Sequence, residues 1–210
     1  VFHKYYEHVG ELNMFRRTYV IFIKRILDFF FAITLLLFLS PLMLLLWLVV
    51  NWKFGGRAIF IHERSGQKQK PFKLYKFRSM LDDPVLTDEE RITPFGALLR
   101  KTSLDELPQL VNVIKGEMSL VGPRPLLPEY SSHYTQEQLK RFDVLPGITG
   151  WAQINGRNQV EWPQKLAYDV YYAKHVSLIF DVTIIFKTIL VDLRAAGFKR
   201  AGEAKRFDEQ

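Results

Sequence analysis

Cysteine is absent from all 210 residues of the chain. Its absence excludes disulfide bonds, thiolate zinc sites and cysteine nucleophiles, and it favours a reducing compartment such as the cytoplasm. Histidine is also scarce, and His62, His133 and His175 lie too far apart for the usual spacing of metal ligands. We therefore predict no metal site built from cysteine or histidine.

Acidic residues are fewer than basic ones, 22 against 29, which leaves a net charge of +7. This excess predicts an anionic partner, and nucleic acid, phosphorylated small molecules and an anionic lipid surface all fit. No RNA- or DNA-binding signature accompanies the charge. Nucleic acid would also leave the long apolar run of the chain unexplained, so we do not expect it as a partner.

Charged residues are missing from Phe29 to Trp52, a run longer than the roughly 20 residues with which a helix spans a bilayer. Ser40 and Pro41 lie in its middle, and proline removes a helical hydrogen bond, which predicts a kink or a break. Basic residues, typical of a cytoplasmic flank, stand at both ends: Lys24 and Arg25 before the run, Lys53 and Arg57 after it. Two topologies remain open. One is a re-entrant hairpin that turns at Ser40 and Pro41, and the other is a kinked spanning helix in which Ser40 satisfies the freed backbone group.

The remainder of the chain reads as a soluble-type domain, since 24% of all residues are charged. Alternating polar and apolar residues around a turn-like segment predict two short strands or a hairpin, 58–64 and 72–80, and the acidic stretch 81–93 is interpreted as a surface loop. Apolar residues at helical spacing from Leu104 to Ile114 predict a helix that ends at Lys115 and Gly116. A last helix is predicted within 177–200, either in the core or on a bilayer surface.

The segment RKTSLDELPQ, residues 100–109, combines two carboxylates with two cations at the start of a predicted helix. One interpretation is structural: Ser103 and Glu106 form a capping box, or Asp105 itself caps the helix. The other is catalytic, because a helix N-terminus attracts phosphate and keeps an adjacent aspartate ionised. One carboxylate would then be the nucleophile, and the other would hold Mg²⁺, which prefers a few carboxylates completed by substrate phosphate and water.

Arg124 lies between two prolines in GPRP, residues 122–125, which fix its backbone and could present its guanidinium to a phosphate. Further phosphate candidates are Lys73, Lys76, Arg78, Arg141 and Arg157. Taken alone, each of these is better explained as solvated surface charge.

Six motifs follow one another along the chain: KRILDF, the apolar run with SP, FKLYKFRSM, RKTSLDELPQLVNVIKGEMSLVGPRP, PGITGWAQINGRN and DVYYAK. Together they resemble the bacterial sugar transferase family, the monotopic phosphoglycosyl transferases, from about Lys24 to Gly202. The chain is similar to the small type that consists of the catalytic domain alone and is related to enzymes that begin N-glycan or O-antigen assembly.

The resemblance implies transfer of a sugar 1-phosphate from a UDP-sugar to undecaprenyl phosphate. The reaction releases UMP and leaves undecaprenyl-diphospho-sugar, the first membrane step of glycoconjugate assembly. The resemblance also implies that Asp105 attacks the sugar-linked phosphorus to form a covalent intermediate in a ping-pong course, and that Glu106 coordinates Mg²⁺. Substrate phosphate-binding roles are expected at five basic residues: Arg100, Arg124, Lys76, Arg78 and Arg157.

The implied fold is a mixed, helix-rich α/β arrangement with a compact catalytic domain, a small sheet and interfacial amphipathic helices. The expected division is an N-terminal extension (1–20), a re-entrant membrane hairpin broken at Ser40 and Pro41 (21–53), the catalytic domain (54–202) and a tail (203–210). The catalytic domain is expected on the cytoplasmic face of the bacterial inner membrane, in contact with phospholipid. The sequence names neither the sugar nor the pathway, and it leaves the oligomeric state open, a homodimer included.

Overall fold

The computed structural model describes residues 18–155 and 160–195, so most of the expected N-terminal extension and the whole expected tail lie outside the described residues. The helices in these ranges are α1 (Lys24–Lys53), α2 (Asp88–Arg91), α3 (Pro94–Lys101), α4 (Gln109–Lys115), α5 (Trp151–Ile154), α6 (Trp162–His175) and α7 (Leu178–Ala195). The strands are β1 (Ile59–Ser65), β2 (Pro71–Phe77), β3 (Ser119–Val121) and β4 (Gly147–Thr149). These elements confirm the predicted helix-rich α/β class with small sheets.

Helix α1 is the apolar run, and it remains helical through Ser40 and Pro41. Pro41 has no N–H to donate to the carbonyl of Leu37, four residues earlier. The Ser40 hydroxyl donates to that same carbonyl over 2.8 Å, so the carbonyl keeps a partner. The helix therefore has no break at this pair, and the serine hydroxyl binds the carbonyl that the proline leaves without a backbone donor.

Both halves of α1 pack against the rest of the chain. Ala32 is fully buried in a cluster with residues of β2 and α4, and Val50 is fully buried in a second cluster with residues of β2 and α3. Most side chains between them are exposed, Phe38 to 80%, although Leu46 is buried in the second cluster. A short π-helical stretch, Tyr19–Ile23, precedes α1 directly. Together they form the segment Tyr19–Lys53, which among the described residues is the one helix long and apolar enough to cross a membrane, judged by length and composition.

Strands β1 and β2 form the predicted hairpin, antiparallel, with Ile59 opposite Phe77 and Ser65 opposite Pro71. The interpretation of residues 81–93 as a loop is incomplete, because they contain α2. A capping box opens this helix: the Thr87 hydroxyl accepts from the Glu90 amide, and the Glu90 carboxylate accepts from the Thr87 amide. The T-x-x-E pattern that marks a helix start was thus present in a stretch interpreted from its polarity alone.

The predicted helix over 104–114 is shorter than expected and begins only at Gln109. Residues 104–106 form a separate 3₁₀ turn before Pro108. Because proline has no amide hydrogen to donate, the backbone ladder of α4 cannot continue back through it. The end of the helix is as predicted: Gly116 has a φ of 86°, the left-handed cap that glycine adopts without strain.

Helix α7 has two apolar faces of different exposure. Its inner face packs into the core through Ile184, which is fully buried, and the hydroxyls of Thr188 and Thr149 on β4 are 2.7 Å apart. Its outer face is exposed and apolar, and consists of Ile179, Val182, Phe186 and Ile189. The two placements that the sequence left open are therefore not exclusive, since core contact occupies one face of the helix only.

A buried polar cluster fastens α7 to the start of α1. The carboxylate of Asp181 accepts from the ammonium of Lys24 over 2.7 Å, from the hydroxyl of Tyr19 over 2.6 Å and from the hydroxyl of Tyr172 over 2.6 Å. Asp181 is 4% exposed and Lys24 is 7% exposed, so the pair is removed from water, and Asp28 is a second, more distant carboxylate at 3.9 Å from the Lys24 ammonium. The cluster joins the membrane-type helix to the C-terminal helix.

We expect Asp181→Asn to lower the free energy of unfolding by about 3 kcal/mol, because it leaves the buried Lys24 ammonium without its nearest anion. Thermal unfolding in detergent would measure the loss. Asp82→Asn is the matched control, since Asp82 pairs with Arg57 at the surface, where an ion pair contributes at most about 1 kcal/mol. Equal melting temperatures for the two variants would contradict the assignment of Asp181 as the fastening residue.

Candidate active site

Asp105 and Glu106 lie in the 3₁₀ turn Leu104–Glu106 between α3 and α4. Ser103 enters the turn with a left-handed φ of 56° and makes no side-chain cap. The first residue of α4 is Gln109, and its cap position, Pro108, has no side-chain hydrogen bond either. Both helix-capping interpretations are therefore wrong, because neither carboxylate satisfies a helix amide.

Glu106 is held between two cations. Its Oε1 accepts from the Lys76 ammonium over 2.8 Å and from the Arg124 guanidinium over 3.1 Å. Burial alone would raise the pKa of Glu106, but the charges of Arg124 and Lys76 outweigh it and lower that pKa to about 2. Glu106 is therefore an anion throughout the physiological pH range, and it is the group on which β2 and the segment after β3 converge.

Asp105 is only 6% exposed, and its carboxylate has no hydrogen bond or ion pair with the residues that the structure describes. Burial raises the pKa of Asp105, and the neighbouring negative charge of Glu106 raises it further. The positive charges of Lys76 and Arg100 partly offset that rise. A desolvated carboxylate whose oxygens are uncommitted is suited to attack an electrophile.

The segment that carries Arg124 is held by a close crossing of two backbones. Strands β3 and β4 run parallel, and a Cβ on Gly147 would stand 2.0 Å from the amide nitrogen of Gly122. Glycine is required there for space. The crossing is closed by two hydrogen bonds, from the Gly122 amide to the Thr149 carbonyl (2.8 Å) and from the Gly147 amide to the Pro123 carbonyl (2.9 Å). It explains why the motifs GPRP and PGITG occur together.

Arg141 holds the backbone of Arg124 in place from the protein interior. Its guanidinium donates to the Arg124 carbonyl over 2.7 Å and pairs with the Asp169 carboxylate over 2.8 Å. Arg141 is 2% exposed, so it is a structural residue rather than a phosphate contact. Asp169, in the DVYYAK motif, was not identified from the sequence, since a single acidic residue on an amphipathic helix carries no pairing signal.

Lys76 is positioned by the edge of β2. The side-chain amide of Asn112, on α4, accepts from the Tyr75 amide over 3.1 Å and donates to the Lys73 carbonyl over 2.7 Å. Asn112 thus pairs with β2 as a neighbouring strand would, and it is fully buried. It was missed by sequence reasoning, although a polar residue inside the apolar run LVNVI was the signal that could have identified it.

The remaining predicted site residues differ in the groups that they contact. Arg100 donates to the Ser79 hydroxyl over 3.0 Å and is close enough to Asp105 to influence its pKa. Arg78 donates to the Arg57 carbonyl over 3.1 Å and pairs with Asp82 over 3.4 Å. These contacts lie just before β1 and in the loop after β2, rather than at Asp105 and Glu106, the two carboxylates that we call the dyad. Arg157 lies outside the described residues.

A divalent cation would find few protein ligands at this site. No group of three or more histidine or acidic side chains capable of holding a metal occurs within residues 18–155 and 160–195. Mg²⁺ does not require one, since it takes one or two carboxylates and completes its shell with water and substrate phosphates. Glu106 is ionised, and a carboxylate has about four acceptor positions, so its two cation contacts leave room for a metal. The residues therefore fit Mg²⁺ at Glu106.

A buried, uncommitted aspartate beside a glutamate held by cations is suited to nucleophilic attack on an anionic substrate. Comparison with known proteins agrees: the sequence model of the bacterial sugar transferase family matches residues 19–195. The chain therefore belongs to the bacterial sugar transferase family.

Three relatives show how far the similarity extends. The sugar transferase EpsL of Bacillus subtilis is 46% identical over 192 residues, which cover 88% of this chain and 95% of EpsL. The undecaprenyl-phosphate galactose phosphotransferase of Salmonella typhimurium is 41% identical over 198 residues, 84% of this chain and 41% of that protein. The UDP-glucose:undecaprenyl-phosphate glucose-1-phosphate transferase of Escherichia coli is 41% identical over 182 residues, 80% of this chain and 39% of that protein. The chain thus spans nearly all of EpsL and about two fifths of the two longer proteins.

We expect the two dyad residues to have opposite effects on stability at neutral pH. The pKa of Glu106 is depressed, so its stabilisation is present above the ordinary glutamate pKa and is lost only as the pH falls towards 2. The pKa of Asp105 is raised, so folding becomes less favourable as the pH rises from the ordinary aspartate pKa to the raised one, and the ionised carboxylate destabilises the fold above it. Glu106→Gln should therefore lower the free energy of unfolding by about 2 kcal/mol, allowing for solvent screening at half-exposed Arg124.

Asp105→Asn, in contrast, should leave the melting temperature unchanged or raise it. Thermal unfolding of both variants at neutral pH with a chelator present would measure the difference without a metal contribution. A loss of stability in Asp105→Asn as large as that in Glu106→Gln would show that Asp105 has a structural partner after all.

Proposed function

We propose that the chain transfers a sugar 1-phosphate from a UDP-sugar to undecaprenyl phosphate, releasing UMP and forming undecaprenyl-diphospho-sugar. The observation that carries this proposal is the dyad: Asp105 is buried without a hydrogen-bond partner among the described residues, next to a Glu106 held ionised by Lys76 and Arg124. The names of the Salmonella and Escherichia coli relatives, which are undecaprenyl-phosphate sugar phosphotransferases, support the choice of donor and acceptor class.

In the proposed first half-reaction, a carboxylate oxygen of Asp105 attacks the phosphorus that carries the sugar. A phosphorus–oxygen bond forms to Asp105, the diphosphate bridge breaks, and UMP leaves with the bridging oxygen. In the second half-reaction an oxygen of the lipid phosphate attacks the same phosphorus and releases the Asp105 carboxylate. Lys76, Arg100 and Arg124 supply the positive charge for phosphate oxygens, and Arg124 is half exposed and can reach a ligand.

Mg²⁺ bound at Glu106 would neutralise phosphate charge and polarise the bond to be broken. Lys76 and Arg124 hold the Glu106 carboxylate ionised and in one position, which is the state a hard cation requires. Burial of Asp105 removes the hydration shell that would weaken it as a nucleophile.

The acceptor calls for a site at the membrane surface, because the phosphate of a polyprenyl phosphate stays at the interface. We propose that α1 enters one leaflet and returns, with its bend at Ser40 and Pro41, since a helix kinks at proline without losing its helical assignment. Ala32 and Val50 lie on opposite sides of Pro41 and are both fully buried against the rest of the chain, which supports a helix whose two ends stay on one side. The exposed apolar face of α7 would lie on the same surface, at the cytoplasmic leaflet of the inner membrane.

The reaction is tested with purified protein in detergent, Mg²⁺, undecaprenyl phosphate and a panel of UDP-sugars. We expect catalytic UMP release from particular sugars, and none from Asp105→Asn. With donor alone, we expect about one equivalent of UMP and a phosphosugar adduct on Asp105, detected by the mass of the intact protein. Asp83→Asn, which changes an exposed aspartate of the loop after β2, is the matched control and should retain full activity.

Three results would count against the proposal in different ways. UMP release by Asp105→Asn at the wild-type rate would remove the nucleophile. Turnover in the wild type without an adduct in the absence of lipid would favour direct transfer, with both carboxylates binding the metal. Failure of well-folded protein to release UMP from any donor in the panel would contradict the assigned reaction.

The topology is tested by single-cysteine labelling, for which the absence of native cysteine provides a clean background. Thr18→Cys places one thiol before the start of α1, and Arg57→Cys places another after its end. A re-entrant helix predicts that neither thiol reacts with a membrane-impermeant maleimide added to the outer side of intact spheroplasts, and that both react after permeabilisation. Reaction of one thiol alone in intact spheroplasts would establish a spanning helix instead.

A further inference from the structure

Arg64, near the end of β1, is a cation without a carboxylate partner. Its Nη2 contacts the Nδ1 of His62 over 3.3 Å. Its Nε is buried and has no hydrogen-bond partner in the part of the chain that the structure describes. Within residues 18–155 and 160–195, no aspartate or glutamate forms an ion pair with it. An unpaired guanidinium that is partly removed from water is unfavourable, so its retention calls for an explanation.

A neighbouring positive charge makes the position of the Arg64 guanidinium still more unfavourable. Burial lowers the pKa of Arg64, and the positive charge of Arg124 lowers it further, to about 10. Tyr130, Glu106 and Glu129 also face Arg64 and act in the opposite direction, but they do not restore the pKa. Glu106 is already committed to Lys76 and Arg124. The group that would balance Arg64 is therefore an additional anion.

Arg64 lies on the same face of the β1–β2 hairpin as Lys76, one of the two cations that contact Glu106. Opposite residues of an antiparallel hairpin project to one side, and residues two apart on a strand do so as well. Lys76 is opposite Phe60 and Arg64 is opposite Phe72, so Lys76 and Arg64 share a face of the hairpin. The Lys76 ammonium on that face reaches Glu106 over 2.8 Å.

A backbone hydrogen bond connects the end of β1 to the segment that carries Arg124, the second cation in contact with Glu106. The amide of Ser65, the next residue, donates to the carbonyl of Leu126 over 2.9 Å. Leu126 is two residues beyond Arg124, whose guanidinium contacts Glu106 over 3.1 Å. The end of β1 is thus joined to the segment that carries Arg124, and the two guanidiniums are neighbours.

We propose that Arg64 is a further phosphate-binding residue of this site, whose partly exposed guanidinium, without an ion pair to the described residues, binds a substrate phosphate oxygen beside Arg124. The inference rests on the proposed function, because that reaction brings two phosphorylated substrates to the dyad. The same chemistry could come from the diphosphate of the sugar nucleotide or from the phosphate of the polyprenyl lipid. His62 accepts from Arg64, and burial lowers the pKa of its imidazole, so it orients the guanidinium as a neutral acceptor.

The test compares Arg64→Gln and Arg64→Lys with the control Arg57→Gln. Arg57 is an exposed arginine paired with Asp82, so its replacement changes the same charge away from the dyad. Each protein is unfolded thermally in detergent, alone, with UDP and with undecaprenyl phosphate, using the fluorescence of its four tryptophans. Steady-state assays of UMP release then give KM for donor and for acceptor separately.

We expect Arg64→Gln without ligand to melt at the wild-type temperature or above it, because it removes an unpaired cation. We expect its binding of one phosphate probe to weaken by about tenfold or more, with a smaller stabilising shift and a higher KM for that substrate. Arg64→Lys should be intermediate, since it keeps the charge and loses the planar fork. A reduced shift with UDP assigns the contact to the donor, and a reduced shift with undecaprenyl phosphate assigns it to the acceptor.

Two results would overturn the proposal. In the first, both ligand shifts and both KM values of Arg64→Gln equal those of the wild type. In the second, Arg64→Gln melts well below the wild type without ligand, which would make Arg64 a structural residue. Failure of the proposed function is a separate result: the wild type itself would then show no shift with either probe and no UMP release.

Discussion

One oxygen of Glu106 joins three parts of the chain that are remote in sequence. Lys76 reaches it from β2, Arg124 from the segment after β3, and Glu106 itself lies in the turn before α4. Two cations brought this close together would repel each other without an anion between them. Burial and the negative charge of Glu106 raise the pKa of Asp105, whose carboxylate has no hydrogen-bond partner among the described residues. The chemistry proposed at Asp105 therefore depends on Glu106 being paired.

Contacts around the site fix the positions of those three parts of the chain. Asn112 fixes the edge of β2 to α4, so the strand that carries Lys76 cannot slide past the turn that carries the dyad. The crossing of Gly122 over Gly147 sets the path of the backbone that leads to Arg124. Arg141, neutralised by Asp169, then fastens the Arg124 carbonyl from the protein interior. Each contact acts on the backbone and leaves the side chains of Lys76 and Arg124 directed at Glu106.

The apolar surfaces and the dyad belong to one packed unit. Helix α1 contributes Ala32 and Val50 to the clusters that also contain residues of β2, the strand of Lys76. The Lys24–Asp181 pair connects the start of α1 to α7, whose outer face is also apolar and exposed. A lipid surface that contacts both helices would therefore support the dyad from one side, while Arg124, half exposed, remains accessible to a ligand in water.

Local patterns in the sequence determined much of this protein: the apolar run, the β1–β2 hairpin, the glycine end of α4 and the helix α7. Each depends on residues a few positions apart, so period and turn chemistry suffice to predict it. Only the tertiary structure decided that Ser103 and Glu106 form no capping box, that Lys76 and Arg124 meet at one oxygen, and that Arg141 and Asp169 pair in the interior. Those outcomes join residues from different elements. A charge on the surface and a charge in a site look alike in sequence, and only burial and the nearest opposite charge distinguish them.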